Sequence, residues 1–191
     1  MKAGIINVTG YGGAELARIL SRHPELDVVS VTGRSSAGKR LAEVFPHLSG
    51  TDMPITEELE GETDIVFSAL PHAASAERLM PLIEAGTKVV DFSADFRLKD
   101  AAVYTEWYKV EHPSPSTLQA AAYGLPELNR DEIRTSNLVA NPGCYPTASI
   151  LALAPAVAGG LITEDVIIDA KSGVSGAGRA LSLNTHFSEV D

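Results

Sequence analysis

The chain has 191 residues, 45% of them hydrophobic, a formal net charge of −10 at pH 7 and one cysteine. This composition supports a packed core of one large domain, or of one domain and part of another, and excludes a disordered chain. The acidic balance excludes nucleic acid as a partner, because phosphate backbones are held by clustered Lys and Arg. No apolar run approaches the roughly 20 residues that cross a bilayer, so no membrane partner is expected. Met1-Lys2 leads directly into a strand-like stretch rather than a signal segment, and a cytoplasmic location is expected.

In chain order, short β-branched runs alternate with longer stretches of helical spacing, which predicts βαβ units around a parallel sheet. The first strand is predicted at Ala3 to Val8, then a turn at Gly10, Gly12 and Gly13, then a helix with Leu16, Ile19 and Leu20 on one face, ended by Pro24. A second strand is expected over Asp27 to Thr32. A third, Asp64 to Leu70, is a continuous apolar run of the kind buried on both faces and is stopped by Pro71. The next helix carries Leu79, Leu82 and Ile83 and ends at Gly86, before a strand from Lys88 to Phe92. Residues Ala94 to Ser136, punctuated by Pro113, Pro115 and Pro126, read as irregular surface excursions. A strand from Leu138 to Asn141 leads through Pro142-Gly143 to Cys144, a helix from about Thr147 to Ala158, and a last strand, Val166 to Ala170, that opens a second domain.

The turn N-V-T-G-Y-G-G-A-E-L follows a first strand and opens a first helix, where backbone N–H groups and the helix dipole hold a pyrophosphate. Gly10, Tyr11, Gly12 and Gly13 are the candidate residues. At the end of the second strand, where an acidic residue holds the ribose 2′-hydroxyl in NAD proteins, this chain has Arg34, then Ser35, Ser36, Lys39 and Arg40. Cations and hydroxyls there favour NADP over NAD. Taken alone, three glycines also make an ordinary tight turn and Arg34 a solvated charge; their joint spacing decides for a nucleotide. Leu70, Pro71 and His72, at the carboxyl end of the third strand, flank the same crevice, although His72 could equally be a helix-start residue.

Cys144 lies at a strand-to-helix junction, a setting that favours the reactive thiolate. A thiolate beside a nicotinamide suggests covalent catalysis, since a thioester accepts hydride more readily than a carboxylate. The alternative for a single cysteine is a small buried hydrophobe. Lys171 to Arg179 form a Gly-Ser loop whose Ser172, Gly173, Ser175 and Gly176 can wrap an anion or a carboxamide; a flexible linker is the alternative. Asp95 and Arg97 are weaker candidates that could be a surface ion pair. No metal site is expected.

The segments T-G-Y-G-G-A-E-L, A-L-P-H, D-F-S-A-D-F-R-L, Y-G-L-P-E-L, N-P-G-C-Y-P-T and K-S-G-V-S-G-A-G-R together resemble the N-acetyl-γ-glutamyl-phosphate reductases of arginine biosynthesis, in the aspartate-semialdehyde-dehydrogenase-like superfamily. Tyr145-Pro146 favours these over the lysine-pathway reductases that act on an aminoadipyl phosphate. The resemblance implies an α/β fold: a doubly wound Rossmann-type NADP domain over residues 1–145, followed by the start of an α+β substrate domain, 146–191. It implies an acyl-phosphate substrate contacted by Asn141, Ser172, Gly173 and Arg97, nucleophilic Cys144, and a homo-oligomer, dimer or tetramer. Two departures stand out. The family's first fingerprint glycine falls on Asn7, and its catalytic histidine belongs to a later motif than His186, so the chain is expected to stop within the substrate domain and to be inactive alone. Without that histidine a non-catalytic NADP-binding module, or redox sensor, is the competing reading; a cysteine hydrolase would not need the nucleotide turn.

Overall fold

The computed structural model describes residues 1–162 and 165–189. Its elements are β1 (Lys2–Ile6), α1 (Tyr11–Leu20), β2 (Asp27–Thr32), α2 (Leu41–Val44), β3 (Ile55–Thr56), β4 (Ile65–Ser68), α3 (Ser75–Glu84), β5 (Lys88–Asp91), α4 (Ala101–Tyr108), α5 (Pro115–Ala120), β6 (Ala122–Tyr123), α6 (Pro126–Thr135), β7 (Leu138–Ala140) and α7 (Cys144–Ala158). The strands form one sheet in the order β3-β2-β1-β4-β5-β7-β6, and every pairing is parallel. The chain winds from β1 outward through β2 to β3, then returns to place β4 on the other side of β1. This doubly wound α/β arrangement opens a crevice outside the carboxyl ends of β1 and β4.

Neighbouring residues of a strand face opposite sides of a sheet, and the two sides carry separate cores. Ile5 packs with Val8, Leu16, Leu20, Val31 and Phe45; Ile6 packs with Val66, Leu79, Val89, Phe96 and Leu138. Burial of both faces explains why the strands read as continuous apolar runs. Ile19, expected on the core face of α1, is instead 50% exposed: Gly13, Ala14, Leu16, Ala17 and Leu20 supply that face, and Ile19 lies off it.

Two further expectations are corrected. Residues 94 to 136 hold α4, α5, β6 and α6. Pro115 and Pro126 are the first residues of their helices, where a missing N–H costs nothing, so they start structure rather than break it. Asp100 caps α4 by accepting a hydrogen bond from the Ala102 N–H at 2.7 Å. Conversely, residues 166–170 form no strand. A strand needs a partner for its backbone groups, and none is described beside this segment. The last helix starts at Cys144, three residues before the expected Thr147.

Helix α1 approaches β1 so closely that a Cβ on Gly13 would lie 2.2 Å from the Asn7 carbonyl oxygen and 2.6 Å from the Val8 Cα. Both neighbours are backbone and cannot swing aside. Gly13→Ala is therefore expected to lower stability by about 3 kcal/mol, the upper range for overpacking, read as a lowered urea midpoint at unchanged slope. A change below about 0.5 kcal/mol would show that helix and strand can separate freely.

Candidate active site

A cleft of about 720 Å³ opens at the crevice between β1 and β4, lined by Asn7, Gly33, Arg34, Leu70, Ala73 and Glu77 among others. Around the glycine turn it meets a second cavity of about 690 Å³, which Thr9, Gly10, Ser36, Lys39 and Arg179 line; Asn7 and Ser35 line both. Gly10 stands as the N-cap of α1 with no side-chain cap and no acidic residue in the first turn. A Cβ on Gly10 would meet nothing closer than 3.7 Å, and one on Gly12 nothing closer than 3.9 Å, so neither glycine is forced by protein packing. Unsatisfied N–H groups at an open, uncharged helix end suit a pyrophosphate.

Asn7 occupies the fingerprint's first glycine position at φ 64, a left-handed conformation that Asn tolerates better than most residues. Its side-chain amide donates to the Ala69 carbonyl at 2.7 Å and its N–H to Thr32 Oγ1 at 3.3 Å. The side chain thus ties the ends of β1 and β4 together while the backbone reaches β2. Arg34, Ser35 and Ser36 form a single 3-10 turn after β2, with Arg34 and Ser35 exposed. Tyr11 is exposed as the first residue of α1, and of Leu70, Pro71 and His72 only Leu70 lines either of these two cavities. His72 Nδ1 instead accepts a hydrogen bond from the Ala94 N–H at 3.0 Å.

The segment from Asp91 to Arg97 carries a buried polar network. Asp91 and Asp95 are both fully buried. Asp91 Oδ1 accepts from Ser75 Oγ at 2.7 Å, and its Oδ2 from Ser93 Oγ at 2.5 Å. Burial pushes the Asp91 carboxyl above the ordinary range; hydrogen bonds from Ser93 and Ser75 oppose that shift, and the nearby Asp95 charge reinforces it. Asp95 caps α3, accepting from the N–H groups of Ser75 and Ala76, so it forms no ion pair with Arg97. His112 lies edge-on to Phe96 and Tyr104, and burial lowers its affinity for a proton.

Arg97 reaches the opposite way. Its Nε donates to the Asn141 carbonyl at 2.8 Å and its Nη2 to the Phe92 carbonyl at 2.8 Å. Nη1 would lie 3.1 Å from a Cβ on Gly143, and among the described residues it makes no hydrogen bond. Gly143 is the N-cap of α7, again without a side-chain cap or an acidic residue in the first turn, and Cys144 is the first residue of the helix, its thiol exposed. Asn141 donates its N–H to the Asp91 carbonyl at 2.8 Å, which extends the pairing of β5 with β7. The structure therefore brings Arg97, Asn141 and Cys144 together on the sheet edge that also bears the glycine turn.

The Gly-Ser loop behaves differently. Ser172, Gly173, Ser175 and Gly176 are exposed and line neither cavity. Arg179, two residues beyond the turn Val174–Ala177, folds back to donate to the Thr9 carbonyl at 3.1 Å and lies 4.8 Å above the Phe45 ring. Among the described residues no cluster of His, Cys, Asp and Glu could hold a metal ion, and no helix is long and apolar enough to cross a membrane.

A doubly wound parallel sheet with a glycine turn facing a switch-point cleft defines a dinucleotide-binding domain. The comparisons agree. The family described as semialdehyde dehydrogenase, NAD binding domain, matches residues 2–136, and its dimerisation domain matches residues 144–191. The chain belongs to the semialdehyde dehydrogenase family. A protein of Dehalococcoides mccartyi, named N-acetyl-gamma-glutamyl-phosphate reductase, is 58% identical over 190 residues, covering 100% of this chain and 56% of its own length. One of the same name from Pelotomaculum thermopropionicum is 53% identical over 197 residues, covering 100% of this chain and 57% of its own. The chain thus spans little more than half the length of these relatives. Aspartate semialdehyde dehydrogenase from Candida albicans, solved with NADP, shares the fold at a TM-score of 0.63 and 21% identity, over 84% of this chain and 48% of that one.

The raised Asp91 value fixes the sign of a pH effect. Below the ordinary carboxyl value of about 3.9 both folded and unfolded chains hold the proton. As pH rises above it the unfolded chain releases its proton first, so stability falls until the folded-state value is passed. Asp91→Asn is expected to lack this component, so that parent and variant urea midpoints diverge as pH rises above about 4. Parallel pH curves would show that Asp91 does not contribute.

Proposed function

We propose that this chain carries the NADP-binding face and the nucleophile of an N-acetyl-γ-glutamyl-phosphate reductase, which converts an acyl phosphate to an aldehyde through a thioester on Cys144. The observation that carries it is the exposed thiol at the open N-terminus of α7, on the same sheet edge as the glycine turn and beside Arg97. Full-chain similarity to proteins of that name supports it. The division into a dinucleotide domain, 1–145, and the start of a substrate domain, 146–191, is supported by the two family matches. The dimerisation match also supports a homo-oligomer. Helix α7, apolar along its length yet without a buried residue, supports further packing against it. A cytoplasmic setting fits the lone, exposed thiol.

In the reaction, Cys144 Sγ attacks the γ-carbonyl carbon, the bond to the phosphate oxygen breaks, and inorganic phosphate leaves with the electron pair. The open N–H groups of α7 stabilise the oxyanion as it forms. Arg97 Nη1 supplies positive charge for the departing phosphate, and its fixed Nε and Nη2 bonds keep that charge in place. Bound NADPH supplies the hydride that reduces the thioester. Collapse then re-forms the carbonyl as the aldehyde and returns the thiolate to Cys144. Gly10 and Gly12 would hold the pyrophosphate, and Arg34, Ser35, Ser36 and Lys39 the 2′-phosphate. The exposed Ser172 and Gly173 would contact substrate and Ser175 and Gly176 the nicotinamide, through the N–H and hydroxyl donors of their Gly-Ser loop.

Two measurements test this reading. Arg34→Asp is expected to weaken NADPH binding by about 10- to 150-fold, the value of a charge-assisted phosphate contact, while leaving NADH affinity nearly unchanged; equal parent affinity for both nucleotides would sink the NADP assignment. Cys144→Ser is expected to abolish phosphate-dependent NADP reduction with N-acetylglutamate semialdehyde in the complete protein while retaining NADPH binding. Turnover in that variant would remove Cys144 from the mechanism.

A further inference from the structure

Helix α3 has no capping side chain of its own, because its N-cap residue is Ala74. The cap comes from Asp95, on the loop after β5. Asp95 Oδ2 accepts from the N–H groups of Ser75 at 3.0 Å and Ala76 at 2.9 Å, while Oδ1 accepts from the Ala73 N–H at 2.8 Å and Tyr104 Oη at 3.1 Å. All four acceptor positions of this fully buried carboxyl are used. Ala73, one of the residues it holds, has φ 60, a left-handed conformation that alanine keeps only where its surroundings impose it. Ala73 and Ala74 line the larger cleft. Their shape is thus set from outside their own segment.

The same loop runs on to the nucleophile. The Asp95 N–H donates to Ser93 Oγ at 3.0 Å, and Ser93 Oγ donates to Asp91 Oδ2. Two residues later Arg97 bridges the Phe92 and Asn141 carbonyls beside Gly143. A shift of Asp95 would therefore move the cleft wall on one side and the arginine beside Cys144 on the other.

We propose that Asp95 is a positioning residue that shapes the Ala73–Ala74 wall of the cleft and fixes Arg97 against the nucleophile turn, so that one buried carboxyl sets both dinucleotide affinity and thiol reactivity. This rests on the reading that the cleft takes the dinucleotide. A cap that only stabilised α3 would raise the melting temperature and do nothing else. Asp95→Asn keeps the shape but turns an NH₂ toward N–H donors it cannot accept from.

The test uses the purified protein, its Asp95→Asn variant and, as a control that removes one bond of the four, Tyr104→Phe. NADPH affinity is measured by fluorescence titration, and the alkylation rate of Cys144 by iodoacetamide is followed across pH. Asp95→Asn is expected to weaken NADPH binding by about tenfold or more and to displace the alkylation profile, whereas Tyr104→Phe should hold affinity within about twofold. A lowered melting temperature with both readouts unchanged would leave Asp95 a stabilising cap only and overturn the inference. Failure of the parent protein to bind NADPH would overturn the proposed function and this inference with it. If Asp95→Asn does not fold, amide exchange in the parent decides: the N–H groups of Ala73, Ser75 and Ala76 should be protected without NADPH, and rapid exchange there would refute a preformed wall.

Discussion

The contact between helix α1 and strand β1 at Gly13 governs the geometry of the glycine turn. With only a hydrogen at Gly13, the helix sits directly on the Asn7–Val8 backbone. The chain then has the four residues Asn7, Val8, Thr9 and Gly10 between β1 and α1 in which to reverse, and the N-terminal N–H groups of α1 come to face the cleft. Asn7 completes this by accepting a left-handed conformation and securing the loop after β4 with its side chain. A longer standoff between helix and strand would swing those N–H groups away from the switch point, where a parallel sheet leaves its one natural crevice.

Three of the helices on this edge treat their N-termini differently. Those of α1 and α7 have neither a side-chain cap nor an acidic residue in the first turn, and that of α3 is filled by a buried carboxyl from another loop. In a protein with a formal charge of −10 this leaves two helix ends open to an anion, at the glycine turn and at Cys144, and closes the helix between them with a carboxyl. Arg34, Lys39 and Arg179 then add positive charge around the first of these sites and Arg97 around the second.

Residues 91 to 97 connect the two sites mechanically. Past Asp91 the chain leaves β5 and closes a turn from the Arg97 N–H to the Ala94 carbonyl at 3.2 Å; Asp91, Ser93, Asp95 and Arg97 make the polar links while Phe96 enters the core. The relatives named as reductases extend well past this chain, which covers 56% or 57% of them. Helix α7, apolar and without a buried residue, lies wholly within the region matched by the dimerisation domain.

Some of this was written in local sequence. The turn at Gly10, the strand Asp27 to Thr32, the stop at Gly86 and the position of Cys144 follow from backbone preferences and hydrophobic spacing, which act over a few residues. The end of β2 placed Arg34 and Ser35 at the cleft for the same reason, since the distance along one strand and one turn is fixed by bond geometry. What sequence could not supply was anything requiring two distant segments to meet. Asp95 looked like a surface charge because its partners, Ala73, Ser75, Ala76 and Tyr104, lie on other elements. Arg97 looked like its ion partner until β7 came alongside β5 and offered the Asn141 carbonyl. Pro115 and Pro126 read as breakers because a proline fixes its φ and lacks an N–H wherever it stands; only the backbone around it decides whether that N–H was needed, and at the first residue of a helix it is not. The apolar run at Val166 read as a strand by composition, but a strand is a relation between two segments, and only the tertiary structure decides whether the second is there.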